Sequence, residues 1–203
     1  MAKRLFLALL AITLAAGGAF AQFSLSAGGG GNFIANFDSV TEDGGKFSIT
    51  TAGGGFFAFF DATYVELDGG IVFGATQYRM SWEGFSDTGS GPKVIYVTFG
   101  AFGKYPINLT DSITLFPMLG LQYDLGYRAV QDGVRQDATD FLNRFWVKFG
   151  GGADFFFTER LFLRPTFLYG INFGTVDLNA EKGSAKSFYH GLDIRVAMGF
   201  KIL

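Results

Sequence analysis

From residue 22 onward, apolar side chains recur at every second position, and charged residues fall on the opposite phase. A period of two belongs to strands whose alternate side chains meet two different environments. The alternation is carried by eight segments: 23–37, 47–59, 65–75, 95–105, 113–127, 141–155, 161–173 and 192–202. Polar stretches at 38–46, 84–93, 129–140 and 174–187 read as the longer connections, with tighter turns at 60–62, 108–112 and 157–160. Longer and shorter connections alternate, so the short turns and both chain ends are expected on one side.

On the apolar phase of these segments no residue is charged. The other phase holds twelve charges: Glu66, Asp68, Lys104, Asp124, Arg128, Arg144, Lys148, Asp154, Arg164, Asp193, Arg195 and Lys201. A soluble barrel would turn the charged phase to water and pack the apolar phase inside. The apolar phase is rich in Phe, of which the chain has 26, and an eight-stranded barrel is barely wide enough for its own side chains. The inverse arrangement fits both faces, with bulky residues toward lipid and charges inside. Register is then strongly held, because Arg or Lys turned to the bilayer midplane costs about 2–4 kcal/mol. The pattern therefore predicts an all-β, eight-stranded antiparallel up-and-down transmembrane β-barrel. Its twelve inner charges, seven basic and five acidic, are expected to form a lumen charge network.

Two groups of aromatics stand near the strand ends, Phe37, Phe47, Tyr127, Phe141 and Phe173 at one side and Phe23, Phe59, Tyr105, Phe155 and Phe200 at the other. They are expected as interface girdles. Mean hydropathy is +0.27, yet no stretch approaches the 18 or more apolar residues of a membrane-spanning helix.

The N-terminus has the layout of a secretory signal. Lys3 and Arg4 form a basic start, residues 5–16 an apolar core, and Ala19-Phe20-Ala21 a small-residue cleavage site. Residues 1–21 are expected to be removed, and residues 22–203 to form one barrel domain. There is no cysteine, which excludes disulfides, thiolate metal sites and anchoring through a lipidated N-terminal Cys. Sixteen basic and 18 acidic residues give a net charge of −2 and no basic stripe for nucleic acid.

The inner charges are the main candidate site. Their simplest role is a plug in which buried ions satisfy one another; the alternative is a narrow solute path. His190, the only histidine, lies near Ser187 and raises the possibility of lipid-modifying chemistry, for which convergence with a carboxylate would be needed. The Gly runs at 28–31, 53–55 and 150–152 lack the Lys-Ser/Thr continuation of a phosphate loop. They are read instead as room for large lumen side chains such as Arg144, Trp146 and Lys148. Pro117 and Pro165 each remove a ladder donor, so a bulge or an unpaired carbonyl is expected there. The acids Asp38, Glu42, Asp43, Asp132, Asp137 and Asp140 are read as solvated loop charge. No metal or cofactor constellation is apparent.

Residues 22–37, SITLFPMLGLQY at 112–123, FWVKFGGGADF at 145–155 and the closing strand give the chain its character. In these it resembles the small outer-membrane β-barrel family that includes OmpA, OmpX and OmpW-like proteins. The resemblance covers essentially the whole mature chain and rests on pattern. It implies a bacterial outer-membrane location, outer-membrane lipid as the surroundings, and insertion by the barrel-assembly machinery. In that family the last strand is an assembly signal that usually ends in Phe or Trp, whereas this chain ends Phe200-Lys201-Ile202-Leu203. The expected function is that of a non-enzymatic monomer with a membrane-structural or surface-interaction role. An OmpW-like conduit for small hydrophobic or ionic solutes is the second reading, and a lipid-modifying enzyme the third.

Overall fold

The computed structural model describes residues 24–42, 45–82, 84–136, 143–172 and 186–203. The chain runs through β1 (Leu25–Glu42), β2 (Gly45–Ala62), β3 (Val65–Trp82), β4 (Phe85–Lys104) and β5 (Ile107–Thr110). It continues through β6 (Ile113–Gln131), β7 (Val134–Gln136), β8 (Arg144–Phe156), β9 (Leu161–Asn172) and β10 (Lys186–Lys201). Eight of these strands join edge to edge in the order β4-β3-β2-β1-β10-β9-β8-β6, and β4 pairs back onto β6. All pairings are antiparallel. Closure leaves no open edge, which a sheet in hydrocarbon requires because lipid cannot satisfy a free N–H or C=O. The short β5 and β7 are hairpin arms on β6. The expected eight-stranded up-and-down barrel is the observed fold. Residues 1–21, expected to be a secretory signal, lie outside the described residues.

The two ends of the barrel differ. At one, Ile202 N donates to Leu25 O at 2.7 Å and Leu25 N to Leu203 O at 3.1 Å, tying the closing strand to the opening one. The β2–β3 turn sits there too, with Thr63 at φ 55. That left-handed conformation is held because Thr63 Oγ1 accepts from Ser24 N at 2.8 Å and donates to Ser24 O at 3.0 Å. At the other end, β6 and β7 are joined by Asp132 (φ 52) and Gly133 (φ 79). This is the Asp-Gly pair that two positive φ angles in a two-residue hairpin select.

Two expected loops are strand. Residues 38–46 and 84–93 were read as connections from their polarity, but β1 runs to Glu42, β2 starts at Gly45, and β4 starts at Phe85. Polarity there marks where the wall leaves lipid, while backbone pairing continues. Strands of 18 residues run roughly 60 Å at about 3.3 Å per residue, or about 45 Å along the axis at a tilt near 40°. The lipid-facing band of such barrels is about 25 Å tall. The β1–β4 wall therefore stands well beyond the apolar belt, at the end away from the termini.

Outside lies the apolar face. Phe33, Leu67, Ile71, Phe73, Phe99, Leu119, Leu121, Phe149, Phe167, Ile194 and Val196 are all exposed, which places the fold in lipid rather than water. In β2 the expected face is reversed. Phe57 and Phe59 were assigned to lipid, Phe59 as a girdle residue, but they are 9% and 4% exposed in the bore, whereas Phe56 is 74% exposed. Both phases of β2 carry Phe, so its local pattern is ambiguous. Pairing Phe33 with Gly54 and Phe56 with Ile71 fixes the even phase outward and brings Asp61 inside. Of the other girdle residues, Tyr105, Tyr127, Phe155 and Phe200 are exposed and Phe37 is half-buried, whereas Phe47, though exposed, lies on the inward phase of β2 opposite Met80. Phe23, Phe141 and Phe173 fall outside the described residues.

The expected irregularity appears beside Pro165, where the β8–β9 ladder skips from Gly152↔Thr166 to Phe155↔Leu163, as a missing ladder donor predicts; on their other sides the prolines leave the pairing intact. Pro117 pairs with Gly151 and Pro165 with Val196 within continuous ladders, and the Pro117 carbonyl accepts from Tyr105 N at 3.1 Å. The glycines act as expected at one decisive place: Gly199 pairs with Phe162, and a Cβ there would overlap the Phe162 ring.

Gly199→Ala is expected to lower stability by about 1–3 kcal/mol, the usual cost of overpacking. Phe56→Arg should cost about 2–4 kcal/mol by turning a guanidinium to lipid. Urea unfolding in lipid vesicles measures both; a neutral Phe56→Arg would contradict the face assigned to β2.

Candidate functional site

The bore is filled from the terminal end upward by two guanidinium centres, a polar layer and an apolar one. The first centre is Arg164 on β9, 2% exposed. Its Nε and Nη2 donate to Asp154 at 2.6 and 2.7 Å, its Nη1 to Glu66, and its Nη2 also to Asp61 at 2.8 Å. Glu66 lies on β3, directly across the ring from β9, so this single side chain spans the bore. The rings of Phe59, Phe162 and Phe116 stand 4.5, 4.9 and 5.0 Å from the Arg164 Cζ. They exclude water and offer their π faces to the cation. Lys104 pairs with Asp61 and lies 4.7 Å from the centre of the Phe116 ring.

Arg195 on β10 forms the second centre. Its Nε and Nη2 donate to Asp193 at 2.9 and 2.8 Å, its Nη1 to Asp68, and its Nη2 to Gln122 Oε1 at 2.9 Å. Lys148 Nζ reaches the same Asp193 at 2.8 Å, while Phe57 and Phe102 flank the guanidinium. Above it, Asp124 accepts from Gln122 Nε2 at 2.6 Å and Trp146 Nε1 at 2.7 Å. Arg144 closes a fork on Asp38 at 3.1 and 2.7 Å. Ile34, Val72, Val94, Tyr96 and Ala129 form a buried apolar cluster toward the far end.

Glycine makes the room these groups occupy. Gly100 faces Asp68, and a Cβ there would collide with its carboxylate. Small residues on one strand thus allow long ones from another to cross the axis.

Of the twelve charges expected inside, Glu66, Asp68, Lys104, Asp124, Arg144, Lys148, Asp154, Arg164, Asp193 and Arg195 are placed in this bore. Arg128 is not. The β4–β6 ladder steps from Tyr96↔Gly126 to Ile95↔Arg128, so Tyr127 is an extra residue that shifts the alternation. Ala129 then turns inward at 1% exposure and Arg128 is exposed. Lys201 is half-buried at the terminal rim, beside a shallow cleft that Glu159 and Asp111 also line. Asp38 and Asp61 fall in the expected loop and turn; extending the first segment by one residue recovers Asp38, whereas Asp61 also needs the reversal of the β2 face. Among the described residues the bore then holds seven acids and five bases, the reverse of the expected excess.

His190 lies on β10 opposite Phe37. Its ring stacks on Phe37 at 5.2 Å and lies 5.7 Å from Tyr169, and the Ser187 side chain is outside the described residues. The acids at 43, 137 and 140 and the Glu42 side chain also lie outside them.

No protein-family model matches the chain, and no curated protein matches it by sequence. Among solved structures it is similar to the outer membrane protein OprG from Pseudomonas aeruginosa, at 12% identity over 89% of this chain and 96% of that one, with a TM-score of 0.48. Neisserial surface protein A is 9% identical over 87% of this chain and 96% of that one, with a TM-score of 0.43. Ail from Yersinia pestis is 13% identical over 89% of this chain and all of that one (100%), with a TM-score of 0.40. At these identities the likeness concerns the fold alone.

Removing one member of such a centre leaves charges buried without partners, which costs about 3–5 kcal/mol. Arg164→Ala, which strands Asp154 and Glu66 and leaves Asp61 to Lys104 alone, is expected to lose that much in urea unfolding. Arg164→Lys should recover only part of it, since an ammonium lacks the planar fork that serves three carboxylates.

Proposed function

We propose that this chain is a non-enzymatic, integral protein of a bacterial outer membrane, with a sealed bore and a membrane-structural or surface-interaction role. The observation that carries this reading is the pair of buried guanidinium centres, Arg164 and Arg195, which tie β9 to β2, β3 and β8 and tie β10 to β3 through carboxylates. Opening a solute path would require breaking several charge-assisted hydrogen bonds at once. Trp146, Phe102, Phe116, Phe162 and Leu168, each under 2% exposed, fill the space between them. The conduit reading has less support for the same reason. Surface interaction is favoured by the β1–β4 wall, which carries backbone and side chains beyond the apolar belt. The enzymatic reading would need groups converging on His190, whose ring contacts among the described residues are with Phe37 and Tyr169.

In planar bilayers the reconstituted protein is expected to show no steady single-channel conductance. A steady conductance that Arg144→Ala or Arg164→Ala alters would overturn the sealed-bore reading in favour of the conduit.

A further inference from the structure

The outward face of the barrel changes character above the apolar belt. On β3 it passes from Ile71 and Phe73 through Ala75 to Gln77, Arg79 and Ser81; on β2 from Phe56 to Thr50, Ser48 and Lys46. The pairings Ser48↔Arg79 and Arg79↔Thr88 keep these residues on one face. Lys46 and Arg79, with Ser48, Thr50, Ser81 and Thr88, surround an open polar concavity of about 720 Å³.

The same face continues around the ring. Lys93 pairs with Ala75 on β3 and with Val130 on β6, and Val130 pairs with Arg135 on β7. Arg128 pairs with Ile95, two residues from Lys93. The bulge at Tyr127 that removes Arg128 from the bore thus adds it to this outer surface. Lys46, Arg79, Lys93, Arg128 and Arg135 are all exposed. Among the described residues, the outward positions of β2, β3, β4, β6 and β7 carry these five cations and no carboxylate. Asp87, the nearest acid on β4, pairs with Met80 on the opposite face.

We propose that this surface binds the phosphate groups of a phosphorylated lipid in the surrounding leaflet. Its position selects the occupant. Lys93 lies two residues above Ile95, and Arg128 three above Leu125, both lipid-facing residues, so each cation meets the headgroup plane while the strand below it meets acyl chain. Guanidinium groups grip phosphate oxygens in pairs, ammonium groups add charge, and the neighbouring hydroxyls can bond a sugar or phosphate oxygen. A soluble anion would gain nothing from the adjoining apolar wall.

The proposal rests on the membrane reading given above, and one experiment separates the two. The mature barrel is inserted into phosphatidylcholine nanodiscs containing either bis-phosphorylated lipid A or its dephosphorylated form, and lipid retained after mild detergent extraction is counted by mass spectrometry. Retention of the phosphorylated form is expected to exceed the other several-fold and to fall with added salt. The combined variant Lys46→Gln, Arg79→Gln, Lys93→Gln, Arg128→Gln should reduce the two to parity. Arg160→Gln, an exposed change in the turn at the terminal end, should leave the preference intact. Parity in the unaltered protein, or a preference that survives the combined variant, overturns the proposal alone. Displacement of the lipid by inorganic phosphate, or by a soluble sulfated polysaccharide, at concentrations comparable to the lipid's also overturns it, because the headgroup plane then contributes nothing. Failure to insert overturns the membrane reading as well.

Discussion

A guanidinium inside an eight-stranded barrel has no bulk water to return to, and the wall behind it faces hydrocarbon. Arg164 and Arg195 meet that constraint by joining local carboxylates to ones far away in sequence: Asp154 with Asp61 and Glu66 around one, Asp193 with Asp68 around the other. Each cation compensates the desolvation of acids that could not be buried alone. The stagger of the strands, the glycines opposite the long side chains and the aromatic rings beside each guanidinium all serve this arrangement. An eight-stranded closure makes it feasible, since the bore is narrow enough for one arginine to touch opposite walls.

The centres also explain why the interior is mixed rather than simply polar. Phe57, Phe59, Phe102, Phe116 and Phe162 are buried beside the charges. They keep water away from the ion pairs and offer cation–π contacts in return, so the hydrogen bonds operate in a low local dielectric. Such an interior is crowded, and that crowding is the ground on which a role in the wall or at the surface is proposed ahead of one in transport.

Outside, one wall serves two media. Along β3 the lipid-facing phase is apolar through Ala75 and polar beyond it, with no interruption in the β2–β3 ladder. Strand and membrane span are therefore different lengths, and the protruding part carries cations where the apolar belt ends. A single extra residue, Tyr127, decides whether Arg128 belongs to the bore or to that outer rim.

Alternation alone determined that this chain closes into a barrel and which phase of most strands meets lipid, because the cost of a charge in hydrocarbon is paid position by position along each strand. Glu66 and Asp68 on β3, or Asp193 and Arg195 on β10, declare their face without any partner. The tertiary structure decided what depends on neighbours. In β2, phenylalanines occupy both phases, and only pairing with β1 and β3 turns Phe56 out and Phe57 in. Asp38 became a bore residue because the ladder runs past the point where polarity suggests a loop, and Asp61 because the same pairing that turns Phe56 out turns its phase in. Which acid meets which arginine follows from stagger and bulges accumulated around the whole ring, and these are properties of the closed sheet that no single strand contains.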